Sequence, residues 1–392
     1  MARFRTVIFL LILFFILSTT VILILVGRGY RLDLTTRSLK PNGLLLAASV
    51  PNGASVFIDG KLTTATDSPV SLPPGDYEIE IKKDSFHPWK KSIKIEKELV
   101  TKTEAYLFPL VPDLRPLTYT GVKNPVLSPD GSKIVYAAAD ASFWLADLDE
   151  GPFGFFTREP RLLLKNSLFM DFSKASFLWS PDSRQLLISS KDGKANFLLD
   201  PNQSPAKLVD INQTISIIKE QWQNDIKSKL KVQTEKLPGP LAEILDTKAS
   251  LLAFSADQTK IFYTATASAA IPENLAAGVL GASTQKEERL LKPGSSYAYD
   301  LKEDRNFAVS VTPGRPSTSI LSWFPTCRHL LLVEKDRISL VEYDGTNKQE
   351  VYSGFFEYPF VFSSPSANKL ILLTRLTSDK TAPLNLYALN LK

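Results

Sequence analysis

"NPVLSPDGSKIVYAA" (residues 124–138) decides how most of this chain folds. A short apolar run leads into a polar turn, and a second apolar run leads out. The theme returns as "ASFLWSPDSRQLLISS" (175–190) and "SLLAFSADQTKIFYTA" (250–265), with weaker copies "SILSWFPTCRHLLLVE" (319–334) and "FVFSSPSANKLILLTR" (360–375). Each copy reads as strand, four-residue turn, strand. Ser-Pro-Asp-Gly suits the turn: Pro sets φ at one corner, Asp accepts from backbone amides, and Gly or Asn takes the left-handed position. Trp179, Phe254 and Trp323 stand in matching register just before their turns and are expected to pack between neighbouring sheets.

Measured at Asp130, Asp182, Asp257, Thr326 and Ser366, the turns lie 52, 75, 69 and 40 residues apart. A propeller blade of four strands takes about 40–45 residues, so the shortest interval is one bare blade and the longer ones hold insertions. The spacing predicts a β-propeller over 114–392 with five or six blades. Its closure is expected to set "LRPLTYTG" (114–121) beside "LNLYALNLK" (384–392), which removes an exposed sheet edge. The repeats resemble the Ser-Pro-Asp-Gly class of TolB-like and WD40-like propellers.

Two insertions interrupt the repeats. In 213–240, Ile215, Ile218, Trp222, Ile226 and Leu230 recur every three or four residues, which predicts one amphipathic helix ended by "LPGP" (237–240). It is expected to lie across a propeller face, the alternative being a helix that binds a partner. Residues 267–296 are rich in Ala, Gly and Ser and read as a long surface loop.

The N-terminus has a different character. After a short flank (1–6), "VIFLLILFFILSTTVILILV" (7–26) runs twenty residues without a charge, enough to cross a bilayer core. Ser18, Thr19 and Thr20 can return their hydroxyls to the helix backbone. "VGRGYRL" follows where a cleaved leader would show a small-x-small site, so the segment reads as an uncleaved transmembrane anchor with a juxtamembrane linker over 27–42. Arg3 and Arg5 on one flank oppose Arg28, Arg31, Arg37 and Lys40 on the other. That balance leans slightly toward a cytoplasmic C-terminus. The short N-terminal flank before a single span instead favours export of everything after it, which is the orientation adopted.

Residues 43–108 form a second β unit. "LLLAASV" (44–50) and "SVFID" (55–59) are strand-like and joined by Pro51-Asn52-Gly53, and Asp59-Gly60 marks a hairpin. "DYEIEIKK" alternates strictly, with Tyr77, Ile79 and Ile81 on one face, and Trp89, Ile93 and Ile95 continue the pattern. The reading is a small antiparallel β-sandwich. This stretch resembles the PEGA domain: Pro51-Asn52-Gly53-Ala54 stands at the family's Pro-Glu-Gly-Ala motif, followed by "VFIDGK", and Leu72 to Tyr77 matches its Leu-Pro-Pro-Gly-acid-Tyr turn. Asn52 replaces the family's Glu, and Ser85-Phe86 stands where Gly-Tyr is usual. The resemblance implies an extracellular surface module rather than an enzyme.

The formal charge of +5 resides in residues 1–42, where Arg3, Arg5, Arg28, Arg31, Arg37 and Lys40 stand against Asp33, and the remainder balances. Nucleic-acid binding needs a concentrated basic face and is not expected. Cys327 is the only cysteine and excludes an intrachain disulfide; His87 and His329 are the only histidines. No Gly-x-Ser-x-Gly, phosphate-binding loop, His-Glu-x-x-His or Cys-x-x-Cys occurs. Cys327 and His329 are two apart, as a strand-face pair would be, but they fall at a turn-to-strand junction without a third member. The turn aspartates could hold calcium, yet their capping role suffices. No catalytic, metal or cofactor-binding residue is therefore assigned, and no cofactor. The whole reads as an all-β envelope protein on a single-pass anchor, a non-catalytic binding or scaffold module for protein or cell-wall glycan. A cytoplasm-facing scaffold or sensor and a propeller hydrolase are the alternatives.

Overall fold

A computed structural model describes residues 2–27, 30–33, 38–151, 158–166, 170–275, 284–309 and 320–392. The chain divides into two compact units, Met1–Phe108 with Leu280–Lys286, and Pro109–Val279 with Glu287–Lys392.

The first unit opens with helix α1 (Ala2–Gly27), about 39 Å long at 1.5 Å per residue. Its Thr6–Gly27 stretch is long and apolar enough to cross a membrane, and none of its most apolar window is buried in the protein. Ser18 Oγ donates to the Phe15 carbonyl, and the Thr19 and Thr20 hydroxyls donate to Phe15 and Ile16 carbonyls. These three polar residues therefore leave no loose donor along the apolar surface. The linker expected over 27–42 is instead an antiparallel hairpin, Tyr30–Asp33 with Ser38–Pro41; residues 28–29 and 34–37 of that linker lie outside the described residues.

Two sheets follow, one of three strands (Pro69–Leu72, Gly43–Val50, Val100–Tyr106) and one of four (Lys61–Ala65, Ser55–Ile58, Gly75–Lys82, Trp89–Ile95). Leu45, Ala47, Val56, Ile79, Ile81, Trp89 and Ile93 fill the space between them. The strict alternation of 75–82 thus reads directly as inside and outside. The purely antiparallel expectation fails at one place. Gly43–Val50 pairs with Val100–Tyr106 in parallel, from Leu44 opposite Val100 to Val50 opposite Tyr106. The two strands lie far apart in sequence, and a crossover connection permits the parallel arrangement. Asp59 (φ 48°) and Gly60 (φ 76°) form the expected tight turn. Thr284, from the insertion expected to be a surface loop, belongs to this unit and donates its N–H and hydroxyl to the Ser92 carbonyl at 3.2 and 2.9 Å.

Among its described residues the second unit contains five four-stranded antiparallel sheets, the first four built from strands in sequence order. The first comprises Lys123–Leu127, Lys133–Ala137, Phe143–Asp147 and Arg161–Leu164; the second Ser176–Trp179, Leu186–Ser189, Asn196–Leu199 and Leu208–Asp210. The third comprises Ala249–Phe254, Lys260–Ala265, Ser296–Asp300 and Arg305–Val309; the fourth Ile320–Trp323, His329–Val333, Arg337–Glu342 and Gln349–Ser353. Val361–Ser363, Lys369–Thr374 and Asn385–Asn390 make the fifth, completed by Leu114–Pro116, whose Leu114 lies opposite Leu389. The closing pairing therefore uses the segments the sequence names.

Alternation decides which sheets touch. Ile134 and Tyr136 face Ile371, Leu373 and Leu386 of the fifth sheet, while Val135 and Ala137 face Phe177, Trp179 and Ile188 of the second. Phe262 and Ala298 of the third sheet meet Leu330 and Val341 of the fourth. Between the second and third sheets the pattern changes. Leu187 packs on Ile215, Ile218 and Trp222 of helix α2 (Ile215–Thr234), and Ile261 and Tyr263 pack on Leu241 and Leu245 of helix α3 (Gly239–Lys248). The insertion is thus two helices, not one. "LPGP" ends α2, and Gly239-Pro240 then open α3, where a proline's missing N–H costs nothing. Ile226 is 56 % exposed and lies beyond the residues of α2 that pack on Leu187.

The predicted loop 267–296 is also more ordered than its composition suggests. Ala269–Ala270 pairs with Leu290–Leu291, while residues 276–283 lie outside the described residues.

The five turns share one geometry. The left-handed position holds Gly131, Ser183, Gln258, Cys327 and Ala367, with φ between 56° and 74°. Glycine or asparagine was the expectation, and only the first turn has one. In the first three turns the opening serine donates to the aspartate two residues on: Ser128 to Asp130 at 2.5 Å, Ser180 to Asp182 at 2.6 Å, and Ser255 to Asp257 at 2.6 Å. Each aspartate also accepts from a backbone N–H, of Ser132, Arg184 and Thr259. The serine oxygen then accepts from the N–H five residues later, at Lys133, Gln185 and Lys260. These local bonds supply what glycine would otherwise supply by conformational freedom.

Candidate functional site

The aspartates of the first three repeats are engaged by their own turns. Bonds from Ser255 and Thr259 hold the Asp257 carboxyl below its usual range against the upward push of burial. Asp182 and Asp192 are lowered chiefly by their serines, Ser180 and Ser190. Such carboxylates are committed acceptors.

Cys327 and His329 are not brought together as a reactive pair. Cys327 occupies the left-handed turn position and its thiol points to the Pro325 carbonyl at 3.6 Å. His329 is buried at the start of its strand, with Nδ1 3.0 Å from the Thr326 hydroxyl. His87 lies half-buried between two strands of the first unit. Among the described residues, no group of three or more His, Cys, Asp or Glu could hold a metal ion.

A cleft of about 550 Å³ opens where the closing segment passes the first sheet, and it gathers aromatic and polar groups. Thr118, Tyr119 and Thr120 form one wall, Tyr136 and Trp144 the floor, and Arg158 and Glu159 the rim. The closing segment is held firmly. Thr118 Oγ1 lies 3.1 Å from Asn385 Oδ1 and accepts from the Leu386 N–H at 2.9 Å; the Gly121 N–H donates to the same Asn385 oxygen at 3.1 Å. Ala139 N–H donates to the Thr120 carbonyl. On this fixed backbone Tyr119 is 80 % exposed.

The floor residues differ in what they can offer. Trp144 Nε1 donates to Ser142 Oγ at 2.8 Å, so its indole presents a face and not a donor. Burial pushes the Tyr136 phenol up to about 12, with a bond to Thr120 acting in the opposite direction, so this phenol is neutral throughout the physiological range. The Arg158 guanidinium lies 3.7 Å from the Asp147 carboxylate and is 75 % exposed. Glu159 is exposed beside it. The cleft therefore offers aromatic surface with one positive and one negative planar group at its edge.

No motif marks this cleft: Tyr119 falls in the closing stretch 114–121, and Trp144 and Arg158 belong to no repeat signature. They meet only because the closure sets a segment before the first repeat against the middle of that repeat.

Residues 43–109 match the family model of the PEGA domain. No curated protein matches the chain. Among solved structures, a protein assigned as TolB from Agrobacterium tumefaciens is 15 % identical, with a TM-score of 0.22, over 69 % of this chain and 78 % of its own. TolB from Acinetobacter baumannii is 12 % identical, with a TM-score of 0.24, over 80 % of this chain and 59 % of its own.

Proposed function

We propose that this chain is a membrane-anchored envelope protein that binds rather than converts its ligand, with its β units on the extracytoplasmic side and the closure cleft as its binding site. The observation that carries the reading is α1: its long apolar stretch has no buried face in the protein, and a bilayer is the solvent in which such a helix is stable. The PEGA match supports an extracellular setting for residues 43–109. Rigidly supported aromatics with an exposed rim suit recognition.

The test uses the full chain carrying a C-terminal tag. Membranes washed with alkaline carbonate retain the protein, and protease added to intact spheroplasts removes the tag. Release by carbonate would overturn the anchor. A tag protected until the cells are lysed would instead establish a cytoplasm-facing scaffold, the second reading. That reading has one observation in its favour, the basic residues Arg28, Arg31, Arg37 and Lys40 following the helix.

A further inference from the structure

We infer that the closure cleft takes an uncharged glycan, recognised by stacking of sugar rings on Tyr119 and Trp144 and by sugar hydroxyls that accept hydrogen bonds from Arg158 and donate them to Glu159. The inference rests on the reading of this cleft as the binding site and names the chemistry of what enters it.

Three features select that chemistry. The first is Tyr119. An aromatic ring 80 % exposed on a segment pinned through Thr118, Gly121 and Asn385 is presented at almost no ordering cost on binding. The electron-rich ring face attracts the slightly positive C–H groups on one face of a pyranose.

The second is the charge balance of the rim. A charged ligand attracted by Arg158 would be repelled by Glu159 and the Asp147 carboxylate beside it, and the converse holds for a cation. A hydroxyl both donates and accepts, so neighbouring hydroxyls can satisfy a guanidinium and a carboxylate together.

The third is Trp144. Grooves that take proline-rich peptides use aromatic walls, and a wall that also donates a hydrogen bond can fix a peptide carbonyl. Here the indole N–H is bonded to Ser142 within the protein. What remains is a flat apolar face, which suits a ring and gives a peptide backbone no anchor.

The experiment titrates the full chain, in a detergent without a sugar headgroup, with maltotetraose and chitotetraose as neutral probes. A galacturonic acid tetramer and a decaproline peptide are the comparison probes, and binding is read by calorimetry and indole fluorescence. The expected result is saturable binding of at least one neutral tetrasaccharide with Kd at or below about 1 mM. Tyr119→Ala weakens it by about tenfold or more with an unchanged melting temperature, and raising salt leaves it unaltered. The acidic tetramer and decaproline bind more weakly.

Failure of both neutral sugars to bind would overturn the glycan assignment, as would preferential binding of decaproline or the acidic tetramer. A pull-down of solubilised envelope material separates that failure from failure of the binding reading. If wild type retains material that Tyr119→Ala loses while neither neutral sugar binds, the cleft is a binding site and only the ligand class is wrong. If the variant retains whatever wild type retains, or neither retains anything, the cleft assignment falls as well.

Discussion

The Glu150 carboxylate accepts from the Ser366 hydroxyl at 2.6 Å and lies 2.8 Å from the Lys369 ammonium. Ser366 occupies the turn position that Asp130, Asp182 and Asp257 hold in the first three repeats. The fifth turn lacks its own acid, and the connection after the third strand of the first sheet supplies one across the closure. Asn368 Nδ2 also donates to it, at 3.3 Å. The Glu150 side chain is only 5 % exposed. Burial would raise its carboxyl, but bonds from Lys369, Ser366 and Ser364 outweigh that and hold it below its ordinary value.

Glu150→Gln is expected to destabilise the second unit by about 2–4 kcal/mol, since it leaves a buried ammonium without its counter-charge. Ser366→Asp should destabilise the wild type, by setting two carboxylates together, yet recover part of the loss in Glu150→Gln. Urea melts of the two single variants and the double variant measure the coupling. Glu150 has a depressed folded pKa, so its contribution is complete above the unfolded carboxyl value of about 4.3 and is lost as pH falls through the lower folded value. Stability of the wild type should therefore fall more steeply with acid than that of Glu150→Gln.

Gly121 and Gly131 share a φ of +74° and differ in their surroundings. A Cβ at 131 would meet nothing closer than Pro365 at 3.9 Å, whereas one at 121 would lie 2.9 Å from the Ala139 Cβ and 3.3 Å from that of Pro383. Gly131→Ala should cost about 1 kcal/mol, the strain of the left-handed conformation alone. Gly121→Ala should cost about 3 kcal/mol because a clash adds to that strain. Equal melting temperatures for the two variants would refute the distinction.

Trp179 Nε1 donates to the Val126 carbonyl at 3.3 Å, and Trp323 Nε1 to the Ala253 carbonyl at 2.9 Å. Both acceptors stand two residues before the opening of the preceding repeat's turn, so one indole ties the second sheet to the first and another ties the fourth to the third. Trp179→Phe and Trp323→Phe should each cost about 1 kcal/mol beyond any packing change. Phe254 occupies the same register but packs against α3. Phe254→Trp is expected to bring no comparable gain, because residue 254 packs on the cluster that holds Leu241 and Leu245 of α3 rather than on the second sheet. Thermal melts of the three variants provide the comparison.

Trp222 and Ile226 lie on one stripe of α2 by their spacing, yet Trp222 is 9 % exposed and Ile226 56 %. Trp222→Ala should destabilise by about 3–5 kcal/mol. Ile226→Lys should change stability by less than about 0.5 kcal/mol. A large loss in the second variant, measured by denaturant titration, would mean that α2 is docked along its full length.

The parts that the sequence made plain are those carried by short-range pattern. Alternation at Tyr77, Ile79 and Ile81 and the recurrence around Asp130, Asp182 and Asp257 are local signals, each repeated in adjacent residues. The aromatic register found two indoles that link sheets. Phe254 fitted the same register while facing a helix, because what lies opposite a strand face is a property of distant chain. Helix α3 was missed because "LPGP" looks the same whether it ends one helix or also begins another. The parallel pairing of Leu44 with Val100 leaves no mark on either strand. The cleft escaped for a similar reason: Tyr119 and Arg158 are brought near one another by a pairing at Leu389, and no feature at either position announces it.

The pairing of Leu114 with Leu389 also bears on how the protein is made. A strand near the start of the second unit waits for a partner roughly 270 residues downstream. At about 5–20 residues per second, that delay on the ribosome amounts to tens of seconds. Throughout it the first-made strand has an unpaired edge, open to mispairing with other nascent chains. A chaperone that shields extended polypeptide would have its greatest value during this interval, and a stalled chain would display the same unpaired strand as a mark of incompleteness.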